Sequence, residues 1–365
     1  MKDWISRAWL IGLVSLLVAA CSGATNTSTS GASTSTSGNT EATGTTEATS
    51  SEMPAAVRLG YFPNVTHAPA LVGVADGLFQ AELGDVPLET FTFNAGTEAV
   101  EALFAEAIDM TFIGPNPAIN AYAQSEGAAI RIISGSTSGG AALVVKPEID
   151  GPADLAGLKI ASPSLGNTQD VALRAWLLEQ GFATTPEGGG DVAVVPQSNG
   201  QSLETFLSGE IDGAWVPEPW ATRLVIEGGG KVLVDERDLW PDGEFVTTHL
   251  IVSTEFLETY PDAVAAVLRG LVEAIDQINA DPTGSQETVN ASIEALTGSR
   301  LAVETITGAW STLTFTLDPI ATSLRGSADD AVAIGLLEPV DLSGIYSLEA
   351  LNGILSILNR ETITS

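Results

Sequence analysis

Three segments of this chain recur in the same order 101 to 103 residues further on. Leu59-Gly60-Tyr61-Phe62-Pro63-Asn64 has the outline of Ile160-Ala161-Ser162-Pro163-Ser164-Leu165: a strand end, a turn with proline and polar residues, then a helix start. The segment 97–104 is echoed by 200–207, and 108–113 by 211–216, and both members of the last pair run into a proline-rich turn. A single echo carries little weight, because helix-then-strand patterns share hydrophobic periods. Three at one offset predict two α/β lobes of like wiring, each about a hundred residues long.

The stretch from Val57 gives the first lobe its detail. Strands over 57–61, 86–93, 109–113 and 129–134 alternate with helices through Ala70, over 97–107 and near 118–125. That order predicts mostly parallel sheets with helices on both faces and right-handed crossovers. In such sheets ligands bind beyond the carboxyl ends of the strands, and two facing lobes make a cleft that closes by hinge bending. The last third, 254–365, reads as mostly helical. Val264, Val267, Leu268, Leu271, Ile275 and Ile278 fall at helical spacing and mark a face expected to pack back on the first lobe. The expected division is 55–145 plus 247–365 for the first lobe and 146–246 for the second.

What precedes the lobes is of another kind. Lys2 and Arg7 lead into an apolar run over 8–20, short for a membrane span, and Val18-Ala19-Ala20 then precedes Cys21. This is the layout of a secretory signal over 1–20. Cys21, the only cysteine, falls where a bacterial lipoprotein carries its acylated residue, and the segment resembles a lipobox with Val18 in place of the commoner leucine. An ordinary signal peptide with a chance cysteine is the alternative. Residues 21–54 are Ser- and Thr-rich and too poor in apolar side chains to bury a core, so they read as a lipidated cysteine followed by a flexible tether. The net charge of −32, with four lysines, argues against nucleic acid and anionic membrane surfaces as partners. No cofactor is expected, and the chain is expected to act as a monomer outside the cytoplasmic membrane.

Leu59-Gly60-Tyr61-Phe62-Pro63-Asn64, Ile113-Gly114-Pro115-Asn116-Pro117-Ala118, Gly166-Asn167-Thr168-Gln169-Asp170 and Asp212-Gly213-Ala214-Trp215-Val216-Pro217-Glu218-Pro219-Trp220 resemble the solute-binding proteins of ABC importers, in the nitrate, sulfonate and taurine group. The resemblance runs from Val57 to Ile354. It implies a two-lobed periplasmic-binding fold of type II with the helical C-terminal part on lobe 1. It also implies capture of a small anionic solute between the lobes and delivery to a membrane permease. Aliphatic sulfonate or taurine comes first among solutes, then nitrate or bicarbonate. The rival reading is a receptor for a heterocycle of thiamine- or pyrimidine-precursor type, or an enzyme acting on one. Enzymology finds little support in the residues. Gly135-Ser136-Thr137-Ser138-Gly139 puts threonine where G-x-S-x-G needs its nucleophile, and neither a second cysteine nor a metal-ligand cluster is visible.

The candidate contacts lie at strand-to-helix turns. In the first, Tyr61, Phe62, Asn64 and His67 either offer donors to an oxyanion or pack and hold the turn. Asn116 is a helix cap or a ligand donor. Thr137 and Ser138 sit in a Ser, Thr and Gly cluster that either wraps an anion in backbone amides or forms a plain turn. Gly166, Asn167 and Thr168 open a helix whose free N–H groups should face the cleft. Trp215 is expected to stack on or wall off the solute. Glu218 either caps its helix and faces away or pairs with a ligand ammonium. His249 joins His67 as a possible neutral donor; a metal pair lacks a third ligand. None of the twelve basic residues after residue 20 falls in these turns. An anion would be held by amides, hydroxyls and helix ends.

Overall fold

The computed structural model describes residues 52–365. The expected signal over 1–20, Cys21 and nearly all of the tether over 21–54 lie outside the described residues. Among those described, eleven strands form two sheets: β1 (Val57–Tyr61), β2 (Leu88–Thr92), β3 (Met110–Ile113), β4 (Ile130–Gly139), β5 (Ala141–Val145), β6 (Lys159–Ser162), β7 (Ala193–Pro196), β8 (Gly213–Pro217), β9 (Lys231–Asp235), β10 (Val246–Ser253) and β11 (Leu313–Phe315).

The sheets run β11-β4-β10-β3-β1-β2 and β7-β6-β8-β5-β9. In the first, β1 is parallel to β2 and β3, and β10 lies antiparallel between β3 and β4. In the second, β6 is parallel to β7 and β8, and β5 lies antiparallel between β8 and β9. Role for role, β2-β1-β3-β10-β4 and β7-β6-β8-β5-β9 are one sheet built twice. The sequence echoes have this origin: β1 answers β6 and β3 answers β8. In each sheet the antiparallel member is the strand that arrives from the other lobe.

That exchange shifts the division expected at 145. β5 pairs with β8 and β9 in the second sheet, so the chain crosses at Gly139-Gly140. Both glycines are left-handed, with φ of 79° and 73°. A Cβ on Gly139 would lie 2.4 Å from the Thr312 carbonyl, and one on Gly140 2.1 Å from Leu313 Cδ2, so neither position has room for a side chain. The return crossing enters β10 at Val246. The two crossings are tied together, with Gly139 N donating to Phe245 O at 3.1 Å and Thr247 Oγ1 donating to Gly139 O.

Sheets of this kind need cover on both faces. On the first lobe the helix Pro261–Ala280 buries Val264, Val267, Leu268, Leu271, Ile275 and Ile278 against Leu59, Met110, Phe112 and Leu250. The sequence stripe therefore packs where it was expected. Ile119, Ile132, Leu324 and Ile345 cover the opposite face. In the second lobe Leu143, Ile160, Trp176 and Trp215 fill one side, and Val144, Phe206, Ala214 and Leu224 the other. Each buried Val, Leu, Ile, Met or Phe among them contributes about 1.5–3 kcal/mol. The C-terminal part also reaches the second lobe. The helix Val303–Trp310 meets the helix Trp220–Ile226 at Gly308, where a Cβ would lie 3.0 Å from Thr222. The helix Ala321–Ala333 meets Trp240 at Gly326, where a Cβ would lie 2.7 Å from the indole.

Candidate functional site

The carboxyl ends of six strands, three from each sheet, converge on one small cavity between the lobes. The turn after β1 supplies Phe62, Asn64, Thr66 and His67; that after β2 supplies Asn94, and that after β3 supplies Gly114. From the second sheet come Pro163, Asn167, Thr168 and Gln169 after β6, Asn199 after β7, and Pro217 at the end of β8. Thr247 of the return crossing completes the wall. The cavity measures about 30 Å³, room for ordered water but not for a solute of several heavy atoms. The lobes are thus drawn close together here.

Three buried polar atoms in this wall have no hydrogen-bond partner: His67 Nδ1, Thr168 Oγ1 and Asn199 Oδ1. Buried polar groups are normally paired, and an unpaired one costs about 1–3 kcal/mol. Three converging on one cavity, from both lobes, form a set that a polar ligand would satisfy. No lysine, arginine, aspartate or glutamate lines the cavity. Burial pushes His67 down to about 3, so its imidazole is neutral at any ordinary pH. Helices of the second lobe begin at Thr168 and Asn199, and their first N–H groups lack intrahelical acceptors. The field is therefore one of hydroxyls, amides and helix N-termini, which favours negative charge without a salt bridge.

Local structure holds these groups in place. Asp170 Oδ1 accepts from Ser162 Oγ at 2.6 Å, while its Oδ2 accepts from Gly166 N at 2.9 Å and Arg174 Nε at 3.0 Å. One buried carboxylate so pins the turn after β6, through a glycine at φ 72°, and presents Asn167 and Thr168 to the cleft. In the first lobe Asn64 N donates to Phe62 O at 2.8 Å and His67 N to Asn64 O at 3.0 Å, which closes the turn. The Phe62 ring lies 4.5 Å from the His67 ring. Across the cleft Trp220 Nε1 donates to Asn64 Oδ1 at 3.1 Å, and Asn120 Nδ2 to Gly166 O at 3.4 Å.

Of the residues singled out from sequence, Phe62, Asn64, His67, Asn167 and Thr168 come together in the cavity. The others stand elsewhere. Tyr61 is in the first-lobe core, its hydroxyl bonded to Thr90. Asn116 donates through Nδ2 to Ser327 O at 3.1 Å, and Gly166 forms the turn without lining the cavity. His249 is buried in β10 with Nε2 3.1 Å from Pro319 O. Glu218 follows the capping account: its carboxylate accepts from Thr222 N at 3.1 Å and Thr222 Oγ1 at 2.9 Å. Burial raises it to about 7.

Two expectations need correction. The Ser, Thr and Gly cluster over 134–140 is no anion-wrapping loop but the end of β4. There Thr137 Oγ1 donates to Thr66 O at 2.7 Å, and Ser138 pairs with Val246 and Thr314. Trp215 does not wall the cleft. It is fully buried in the second-lobe core, 5.9 Å from the Trp176 ring, and donates Nε1 to Glu236 at 2.7 Å. The tryptophan that reaches across the cleft is Trp220. Asn94, Asn199 and Thr247 were missed. Asn94 and Asn199 sit at the same kind of strand-to-helix junction as Asn167, so extending the junction rule to every strand would have found them.

A family model matches residues 50–293. The chain belongs to the NMT1-like family. It is 28% identical over 218 residues to the taurine-binding periplasmic protein of Escherichia coli (strain K12). That match takes in 59% of this chain and 64% of the relative, so it spans just under two thirds of the relative's length. Among solved structures, the alkanesulfonate-binding protein SsuA from Xanthomonas axonopodis pv. citri bound to MOPS aligns at a TM-score of 0.68 and 20% identity, covering 81% of this chain and 99% of that one. The periplasmic nitrate-binding protein NrtA from Synechocystis PCC 6803 aligns at 0.71 and 15% identity, covering 84% and 90%. The fold is the two-lobed periplasmic-binding-protein fold.

Proposed function

We propose that this NMT1-like protein is the extracytoplasmic solute-binding component of an ABC importer. It captures a small oxyanion between its lobes and hands it to the permease. An aliphatic sulfonate or taurine ranks first, nitrate or bicarbonate next. The observation that carries the reading is the set His67 Nδ1, Thr168 Oγ1 and Asn199 Oδ1, buried, without a partner in the protein, and belonging to residues that line one cavity from both lobes. The relative named taurine-binding and the neighbours named alkanesulfonate- and nitrate-binding support the solute class. Asn199 Oδ1 is an acceptor, which suits a solute that also carries an amine, as an aminosulfonate does and nitrate does not. A flat heterocycle is less well served, since the only aromatic rings among the lining residues are those of Phe62 and His67, and these lie together at 4.5 Å rather than on opposite walls. The protein acts as a receptor and not as an enzyme. Acylation of Cys21 tethers it, as a monomer, to the outer side of the membrane.

Thermal unfolding in the presence of taurine, alkanesulfonates, nitrate, bicarbonate and pyrimidines tests this reading. A ligand at a hundred times its dissociation constant adds about 2.7 kcal/mol. The reading expects a sulfonate to give that shift and the double variant Asn167→Ala/Thr168→Ala to lose it. A shift from pyrimidines alone, or one that survives in the double variant, would overturn it.

A further inference from the structure

A second, half-open space lies where the lobes meet away from the cleft. It measures about 210 Å³. Trp176 and Glu179 face it from the helix Thr168–Glu179, Glu236 and Trp240 from the segment after β9, and Asp330 from the helix Ala321–Ala333. The first two elements belong to the second lobe, whereas the last inserts Leu324 and Ala328 into the core of the first. Carboxylates therefore meet across the seam from both sides, with no lysine or arginine among the lining residues.

Glu236 is buried and accepts from the indoles of Trp215 and Trp240, both of its own lobe. Asp330 approaches from the other side and feels Glu179, with Asp329 beside it on its own helix. Glu236 in turn feels Asp330 and Asp235. The basic groups close in sequence are engaged elsewhere or face water. Arg237 is held by Asp235 at 2.5 Å, Arg174 by Asp170 at 3.0 Å, and Arg325 is exposed. Asp330 is partly buried at this seam with Glu179 and Glu236 facing it from the other lobe, and parting the lobes returns it to water and separates the like charges.

We propose that closure of the lobes is linked to proton uptake at this seam: Asp330 is protonated as the lobes shut and releases its proton as they open. The inference rests on the two-lobed clamp proposed above. Burial at the seam, with Glu179 across it, holds Asp330 at about 6, above its ordinary value. A carboxylate whose value is raised in the closed form favours closure below that value, and the contribution fades as pH rises through about 6. The clamp accordingly sits shut at mildly acid pH and loosens in alkali.

Pulsed electron double resonance on the full chain reads this directly. Nitroxides at Glu101→Cys and Glu204→Cys, in a Cys21→Ser background, report the distance between exposed helices of the two lobes. The closed-to-open ratio should rise several-fold between pH 8 and pH 5.5, by at most about tenfold per pH unit for each proton. Asp330→Asn should hold at pH 8 the ratio that the parent reaches at pH 5.5. Glu179→Gln, at an exposed position with no burden on folding, should shift the midpoint to lower pH. Two populations whose ratio ignores pH, or an Asp330→Asn variant with the parent's slope, overturn the proton link and leave the clamp standing. One fixed distance at every pH and in every variant contradicts the clamp, and the link with it.

Discussion

Gly114 is where closure can be blocked without touching either lobe's core. It has φ −72° and ψ 163°, a conformation open to any residue, so alanine adds no backbone strain. The methyl group would lie 2.5 Å from Thr168 Oγ1 in the facing lobe, against an ordinary contact of 3.4 Å or more, so the packed Thr168 side chain or its lobe must give by about 0.9 Å. Overpacking of this size costs about 1–3 kcal/mol. Because the clash exists only in the closed form, Gly114→Ala should bind taurine about 5- to 150-fold more weakly with its melting temperature unchanged. Isothermal titration gives the affinity, and a double-mutant cycle gives the cause. In Thr168→Ala the offending oxygen is gone and the nearest Thr168 carbon is 3.5 Å from the added methyl. Gly114→Ala should then add almost nothing to the loss already caused by Thr168→Ala. If the two losses simply add, or if Gly114→Ala binds like the parent, the closed geometry described here is wrong.

Other consequences are quickly stated. Trp220→Phe keeps the ring and removes the 3.1 Å bond to Asn64 Oδ1; titration should show about fivefold weaker binding, the worth of roughly 1 kcal/mol. Asp170→Ala strands buried Arg174 and frees the turn that presents Asn167 and Thr168. Calorimetry should record a loss of about 3–5 kcal/mol, on the order of 10 °C in melting temperature. Glu236→Gln tests the cost of a buried carboxylate raised to about 7. Since stability from such a group is present at low pH and fades as pH rises through 7, the variant should gain up to about 3 kcal/mol at pH 8 and nothing at pH 4. A gain confined to acid pH would reverse that sign.

Much of the architecture was legible because it is written twice. The echoes of β1 in β6 and of β3 in β8 carried the two-lobe expectation, and the stripe from Val264 to Ile278 placed the long helix. The strand β5 could not be assigned from its residues, since Ala141 to Val145 is uniformly apolar and suits either sheet. Its partner is fixed only by the turn of Gly139-Gly140. Site residues at helix starts were found where polar side chains break a pattern, as at Asn64 and Asn167. Trp215 misled for a physical reason. Both faces of β8 are covered, so no alternation marks which side faces the cleft, and a large ring there belongs to the core. The cluster over 134–140 misled by composition. Thr137 and Thr248 are buried polar strand residues because both donate to the Thr66 carbonyl, a need created by tertiary contact and absent from any local window.

A crystal structure grown with taurine addresses the central claim most directly. The account predicts one molecule enclosed between the lobes, its sulfonate oxygens within hydrogen-bonding distance of Thr168 and His67 and its amine toward Asn199 Oδ1. Taurine held by one lobe alone, or lodged at the seam beside Glu236 with the cleft cavity unchanged, would contradict it.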